Sequence, residues 1–228
     1  MHRSPARFDD TLQIPATVRD LASFREWACS DDFPERGRID FLAGDLEVDM
    51  RPEELHTHGL VKSEIAAVLQ LLVARAGLGD VYIDRGRVSS PAADLSVEPD
   101  VVVVLWETLD RGRVRKVPSK RRPDMFMELE GPPDLIAEIV SESSVRKDFA
   151  RLPPLYAAAG VPELWLVDAR GDEIRFEIRS LGVEGYETMA PDRQGWTLSP
   201  RLGLQFRLRR REVRPGRWSY RLRHTPAS

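Results

Sequence analysis

Two short apolar runs, each carrying acids, constrain this chain more than any other feature: Val97-Glu98-Pro99-Asp100-Val101-Val102-Val103-Val104 and Asp134-Leu135-Ile136-Ala137-Glu138-Ile139-Val140-Ser141. Runs this rich in β-branched residues predict strands. A carboxylate inside such a run, as Asp100 and Glu138 are, is costly to bury unless it is paired, protonated or bound to a cation. Two of them in one chain point to a metal site. The competing reading of either acid alone is a strand-end residue salt-bridged to Arg or Lys.

A chain of 228 residues, 42% hydrophobic and 31% charged, suffices for one sizeable core with appended segments. Residues 1–36 read as an N-terminal extension with a short helix, 37–208 as the main domain and 209–228 as a basic C-terminal tail. Cys29 is the only cysteine, and no Cys/His cluster has zinc spacing. A reducing compartment, the cytoplasm, and a site without thiolate ligands are therefore expected. The first ten residues lack the apolar core of a signal peptide, and no run approaches the roughly 18 uninterrupted apolar residues of a membrane span, so no membrane association is expected.

A net charge of -3 argues against wholesale coating of nucleic acid, yet the sum hides two basic blocks. Arg111 to Arg122 holds seven cations and no acid. From Phe206 onward there are eight arginines against Glu212 alone, with Trp218 and Tyr220 interleaved. Either block could follow phosphates, with aromatics adding a stacking surface, or could be a solvated loop or tail.

Periodicity supplies the rest of the framework. Val18 to Ala28 predicts a short helix with Leu21 and Phe24 on one face. Residues 39–42 and 45–48 flank Ala43-Gly44, the two-residue connection of a tight hairpin, which places Asp40 on its first strand. Val61, Ile65, Val68, Leu69 and Leu72 predict a long helix from His58 to about Ala76, stopped by Gly77. Val81 to Val88 reads as one strand, and 106–133 as a long irregular surface insertion. Leu155 to Ala159 predicts a short helix that Pro153 and Pro154 keep from extending upstream. Strands follow at 163–168 and 173–178, with Trp165 as a core residue and Ser141 and Asp168 as turn residues. The predicted class is α/β, a mixed sheet flanked by helices. No glycine-rich phosphate loop, G-x-S-x-G or H-E-x-x-H motif is present, so nucleotide-binding, serine hydrolase and zincin readings lose support.

Mg²⁺ (or Mn²⁺) takes oxygen ligands and keeps several waters, so Asp100 and Glu138 on adjacent strands are enough when a substrate phosphate completes the shell. The ordered segments Ile39 to Leu46, His58 before its helix, Glu98-Pro99-Asp100, Pro133 to Ser141 and Gly160 to Asp168 resemble the Uma-type (Uma two) family of restriction-endonuclease-like proteins over about residues 37–208. The resemblance implies a restriction-endonuclease-like fold and metal-dependent hydrolysis of DNA phosphodiesters, as in the Pro-Asp…Asp/Glu-x-Lys nucleases. It implies Asp100 and Glu138 as metal ligands, Asp40 as a supporting acid and His58 as a contact to phosphate or to metal-associated water. Val140 stands where the nuclease superfamily has its lysine. Asp148 matches an aspartate of the Uma-type family, and Leu152 holds the lysine position that follows it. Lys147 or Arg151 could substitute, although neither falls on the family position and an always-protonated arginine is a poor proton acceptor. DNA is the expected partner, and a homodimer is left open. The alternative is a catalytically impaired module of the same fold that binds DNA or protein.

Overall fold

The computed structural model describes residues 12–120 and 122–227; residues 1–11 of the expected extension and Arg121 of the first basic block lie outside them. Helix α1 (Leu21–Ala28) is started by Asp20, whose carboxylate accepts from the Ser23 amide at 2.8 Å while Ser23 answers the Asp20 amide, a capping box. Its buried Phe24 and Trp27 pack on Phe41 and Phe33, so this helix is part of the core rather than an appendage. Strands β1 (Arg38–Leu42) and β2 (Asp45–Asp49) close through Ala43 and Gly44 at φ 50° and 87°, the left-handed pair that a tight hairpin requires.

Helix α2 (Leu55–Ala74) lays Val61, Ile65, Leu69 and Val73 onto the core. Among the described residues it is the one helix long and apolar enough to cross a membrane by length and composition, but here its apolar stripe faces protein. Next come β3 (Gly79–Ile83), β4 (Arg87–Ser90), β5 (Leu95–Val97) and β6 (Val101–Leu105). The expected single strand 81–88 is two strands in different sheets, because Asp84 and Arg85 both turn left-handed at φ 47° and 50°.

The segment expected to be an irregular insertion is ordered. It forms α3 (Trp106–Asp110), β7 (Arg115–Pro118) and β8 (Phe126–Glu130). Four of the six described cations of its basic block meet acids: Arg115 meets Glu130 at 2.8 Å, Lys116 meets Asp80 at 2.8 Å, Arg111 meets Glu107 at 2.7 Å, and Lys120 pairs with Glu26. After β9 (Leu135–Ile139), helix α4 (Leu152–Ala159) continues without a break from a wider turn over Lys147–Arg151. The prolines were expected to stop the helix upstream. Instead the Leu152 amide reaches back five residues to the Lys147 carbonyl, and the turn opens just before the two residues that have no donor.

Strands β10 (Glu163–Asp168), β11 (Arg175–Gly182), β12 (Gly185–Thr188), β13 (Thr197–Ser199), β14 (Leu204–Arg214) and β15 (Arg217–Pro226) complete the chain. The segment expected as a basic tail is thus mostly a β-hairpin, held because alternate residues Phe206, Leu208, Tyr220 and Leu222 are buried. The central sheet runs β12-β11-β10-β9-β6-β3, with β9 and β10 parallel and its other pairs antiparallel. A second sheet runs β2-β1-β5-β4-β8-β7, and a third runs β13-β14-β15. Helix α2 and the β14–β15 hairpin share one apolar cluster with Trp165, while Leu152 and Tyr156 of α4 join Ile136, Leu164 and Leu166 in another. The mixed α/β architecture flanked by helices is as predicted.

Phe24→Ala tests the place of α1. The ring is fully buried, so truncation is expected to cost about 3–5 kcal/mol in urea unfolding. A midpoint that barely moves would mean that α1 only decorates the surface.

Candidate active site at the end of the central sheet

Antiparallel register between β6 and β9 pairs Val101 with Ala137 and Val102 with Ile136. Extended by one residue, it sets Asp100 opposite Glu138, and the Ile139 amide donates to Asp100 Oδ2 at 2.8 Å. Both carboxylates are almost fully enclosed, at 1% and 2% exposure. The two acids singled out by sequence therefore face one another across neighbouring strands.

Three cationic groups surround Asp100. Arg38, at the start of β1, donates to Asp100 Oδ1 at 2.8 Å. His58 Nε2 stands 3.4 Å from Asp100 Oδ2, with its Nδ1 3.5 Å from Glu53. Lys62, four residues after His58 on α2, contacts Glu53 at 2.7 Å, Asp84 at 2.6 Å and Asp100 at 3.9 Å. Burial alone would raise the Asp100 pKa; Arg38, His58 and Lys62 overcome it and hold the group well below the usual carboxylate range. Burial likewise disfavours charged His58, yet the bonds to Asp100 and Glu53 push its pKa up to about 9. Glu53 falls to about 2, first through its bond to His58.

Glu138 behaves in the opposite way. Burial, then the negative charges of Asp100 and Asp148, push its pKa up to about 8. Its Oε1 accepts from the Tyr156 hydroxyl at 2.5 Å, and burial with that carboxyl neighbour raises the Tyr156 pKa well above its ordinary value. Lys147 projects from the wide turn before α4 and donates to Asp40 Oδ2 at 3.0 Å, while Asp40 Oδ1 accepts from the Glu98 amide at 3.0 Å. Burial works against the Lys147 charge, but Asp40 leads a set of acids that keeps it protonated beyond the ordinary lysine range. Asp148 is raised to about 6, mainly by burial, and accepts from the Ser144 hydroxyl.

Asp40, His58, Asp100, Glu138 and Lys147, all predicted from sequence, thus lie in one interacting cluster, with Asp40 joined to it through Lys147. Leu152, at the family's lysine position, is in the core, and so is Trp165. Sequence reading missed Arg38, Glu53, Lys62, Asp84 and Tyr156. Two of these had a signal: Arg38 lies two residues from Asp40 on one strand, and Lys62 four residues from His58 on one helix, spacings that place side chains on a common face.

A cleft of about 570 Å³ opens over the cluster, with Arg38, Asp40, His58 and Lys147 in its lining. Asp100 and Glu138 lie beneath these residues rather than on the cleft surface. Two donor sets could hold a cation and both use Asp100. Asp100 with Glu138 is an all-oxygen pair suited to a hard divalent ion, whereas Glu53, His58 and Asp100 bring donor atoms within 4.8 Å of one another and add an imidazole. The oxygen pair fits: a carboxylate has about four acceptor positions, so the bonds from Arg38 and Ile139 leave Asp100 capacity. Glu138 retains its proton near neutrality through burial first and then the negative charges of Asp100 and Asp148, and a cation would offset both.

No curated protein matches the chain. A crystal structure described as "a putative nuclease belonging to DUF820", from Anabaena variabilis ATCC 29413, matches with a TM-score of 0.58 at 17% identity, covering 80% of this chain and 90% of that one. This likeness shows the fold to be restriction-endonuclease-like. The model of the Uma2 family, described as "Putative restriction endonuclease", matches residues 21–211. The chain therefore belongs to the Uma2 family.

Proposed function

We propose that this protein is a divalent-metal-dependent endonuclease acting on DNA, with Asp100 and Glu138 holding Mg²⁺ or Mn²⁺. The observation that carries this reading is the pair itself: two enclosed carboxylates, opposed across β6 and β9, one charged and one held protonated in the absence of a cation. When bound, a divalent ion supplies positive charge against the scissile phosphate and lowers the pKa of the attacking water. Arg38 and Lys147 add fixed cations on the cleft side, where charge develops on the phosphate oxygens. Lys147, kept protonated by Asp40, acts as an electrostatic and hydrogen-bonding group and not as a proton acceptor. Asp40 positions Lys147. His58, protonated near neutrality by Asp100 and Glu53, can donate to phosphate.

One observation favours a second reading, a non-cutting DNA-binding module of the same fold. Arg38 already pairs with Asp100, and both acids lie below the cleft surface. The two readings separate in the test tube.

With Mg²⁺ or Mn²⁺ the purified protein is expected to nick and linearise supercoiled plasmid, to stop with chelator, and to lose at least about a hundredfold in rate on Asp100→Asn, as removal of a key electrostatic group does. Cutting that survives this change would refute the assignment, and metal-independent binding without cutting would select the second reading. Lys147→Met is expected to lower kcat by about 10²-fold with DNA affinity nearly unchanged; an equal loss in both would make the residue structural. Metal binding requires ionised Glu138, which holds its proton up to about pH 8. Mn²⁺ affinity should therefore rise from about pH 6 and level off above pH 8, with about one proton released per ion at neutral pH. Without metal, the folded state binds this proton between the ordinary 4.5 and about 8, so stability declines as pH rises through that window. Calorimetry in buffers of different ionisation enthalpy reads the released proton; flat affinity across the range would remove Glu138 from the ligand set.

A further inference from the structure

The β14–β15 ribbon opposes Arg207 to Arg223 and Arg209 to Arg221 in direct register. Phe206, Leu208, Tyr220 and Leu222 face the core, so strand alternation puts the odd-numbered residues of both strands on the outer face. That face carries Arg207, Arg209, Arg211, Arg221 and Arg223, and the other residues across the same register are Gln205, Ser219 and Thr225. Arg209, Arg211, Arg221 and Arg223 are exposed, and among the described residues none has a carboxylate partner. Directly opposed like charges weaken an antiparallel pair, so this arrangement works against the hairpin that carries it.

Edge protection accounts for charge here but not for its sign. Beyond Phe206, β14 has no partner on its β13 side, so both strands of the ribbon are edges; charges of either sign discourage strand addition, yet all five outward charges are arginines. Elsewhere the same surface chemistry is balanced across or along strands, as in Arg115 with Glu130 and in Arg175 and Arg179 with Glu177.

The ribbon is also firmly placed. Arg210, from the core face of β14, donates to the carbonyls of Ala169 at 3.1 Å and Gly171 at 2.9 Å and stacks on Trp218. Ala169 directly follows β10, and β10 runs parallel to β9 with Leu166 beside Glu138. The ribbon therefore passes the same end of the central sheet as Asp100 and Glu138, on the face opposite to the Glu138 side chain.

We infer that the outer arginine face of this hairpin is a second contact surface for duplex DNA, gripping phosphates away from the cut while the cleft takes the scissile one. The inference rests on the endonuclease reading for its orientation but not for its binding test. Alternate residues along a strand recur at about 7 Å and neighbouring strands lie about 5 Å apart. The result is a double row of arginines on a firmly placed ribbon, of which Arg209, Arg211, Arg221 and Arg223 can each grip a phosphate through two parallel hydrogen bonds, while Arg207 stacks on Trp196 and donates to the Gln194 carbonyl at 3.0 Å. A two-stranded ribbon also fits the major groove of B-DNA.

The test uses the full chain in chelator with a fluorescent random-sequence duplex of about 30 base pairs, titrated across salt. Replacing Arg209, Arg211, Arg221 and Arg223 with Gln is expected to weaken binding at least tenfold and to reduce the log-log salt slope by about 3–4, close to 0.9 for each phosphate that is no longer neutralised. Arg209→Glu alone places an opposite charge across from Arg221. It should melt no lower than wild type yet still bind duplex more weakly. Unchanged affinity and slope in both variants overturn the inference. Ribbon-dependent binding to vesicles about one-third phosphatidylserine, with none to duplex, overturns it as well. If wild type binds duplex through the ribbon but never cuts, the endonuclease reading fails and this one stands. If it cuts and the ribbon variants bind normally, only this one fails.

Discussion

Asp100 is the point on which the architecture converges. A carboxylate at 1% exposure persists only because Arg38, His58, Lys62 and the Ile139 amide meet it. The four partners come from three elements: Arg38 from β1, His58 and Lys62 from successive turns of α2, and Ile139 from β9. For all of them to reach one carboxylate, the tight Ala43-Gly44 turn must set the hairpin, α2 must lie along the core with His58 and Lys62 on one face, and β6 must pair with β9 in a single register. A one-residue slip of that register would move Asp100 away from Glu138 and turn every neighbouring valine to the opposite face.

The same crowding divides the two acids. Asp100 has the cations and stays ionised; Glu138, one strand away, is buried beside Asp100 and Asp148 and retains its proton. Two titratable groups with pKa values driven apart by their surroundings are what acid, base and metal-ligand chemistry requires. A buried cation, Lys147, also joins the group through Asp40. Leu152 occupies the position from which a lysine is expected and instead fills the core, while Lys147 reaches the cleft from one widened turn earlier. Pro153 and Pro154 follow that turn directly, where neither can donate a helix hydrogen bond.

How much of this was legible depended on the range of the signal. Residues that lie within a periodic run, such as Asp100, Glu138 and the Val61-Ile65-Leu69 stripe, declared their environment through their neighbours in sequence. So did the Ala43-Gly44 turn, whose two left-handed residues need only local chemistry. The split at Asp84-Arg85 was hidden because 81–88 alternates well enough for one strand, and nothing local shows that its halves pair with different sheets. Arg38 and Glu53 were illegible for a stronger reason: their importance lies in partners 62 and 5 residues away, Asp100 and His58, and charged residues in loops and strand ends look alike until the fold brings them together.

The two basic blocks show the same limit at the level of charge. Counted along the chain they were equivalent, and both allowed a solvated segment or a phosphate-binding one. The fold separates them by what lies across the strand. In the first block, Arg115 and Lys116 alternate on β7 and find Glu130 and Asp80, so the field they project is mostly cancelled at short range. In the second, the residues across from Arg207 and Arg209 are Arg223 and Arg221, so the fields add. A net charge of -3 therefore coexists with a concentrated positive face, because opposite charges elsewhere are consumed in pairs. What a long polyanion meets is the local unpaired charge, which falls off over about 8 Å in physiological salt, and that charge is concentrated on the hairpin at the same end of the sheet as Asp100 and Glu138.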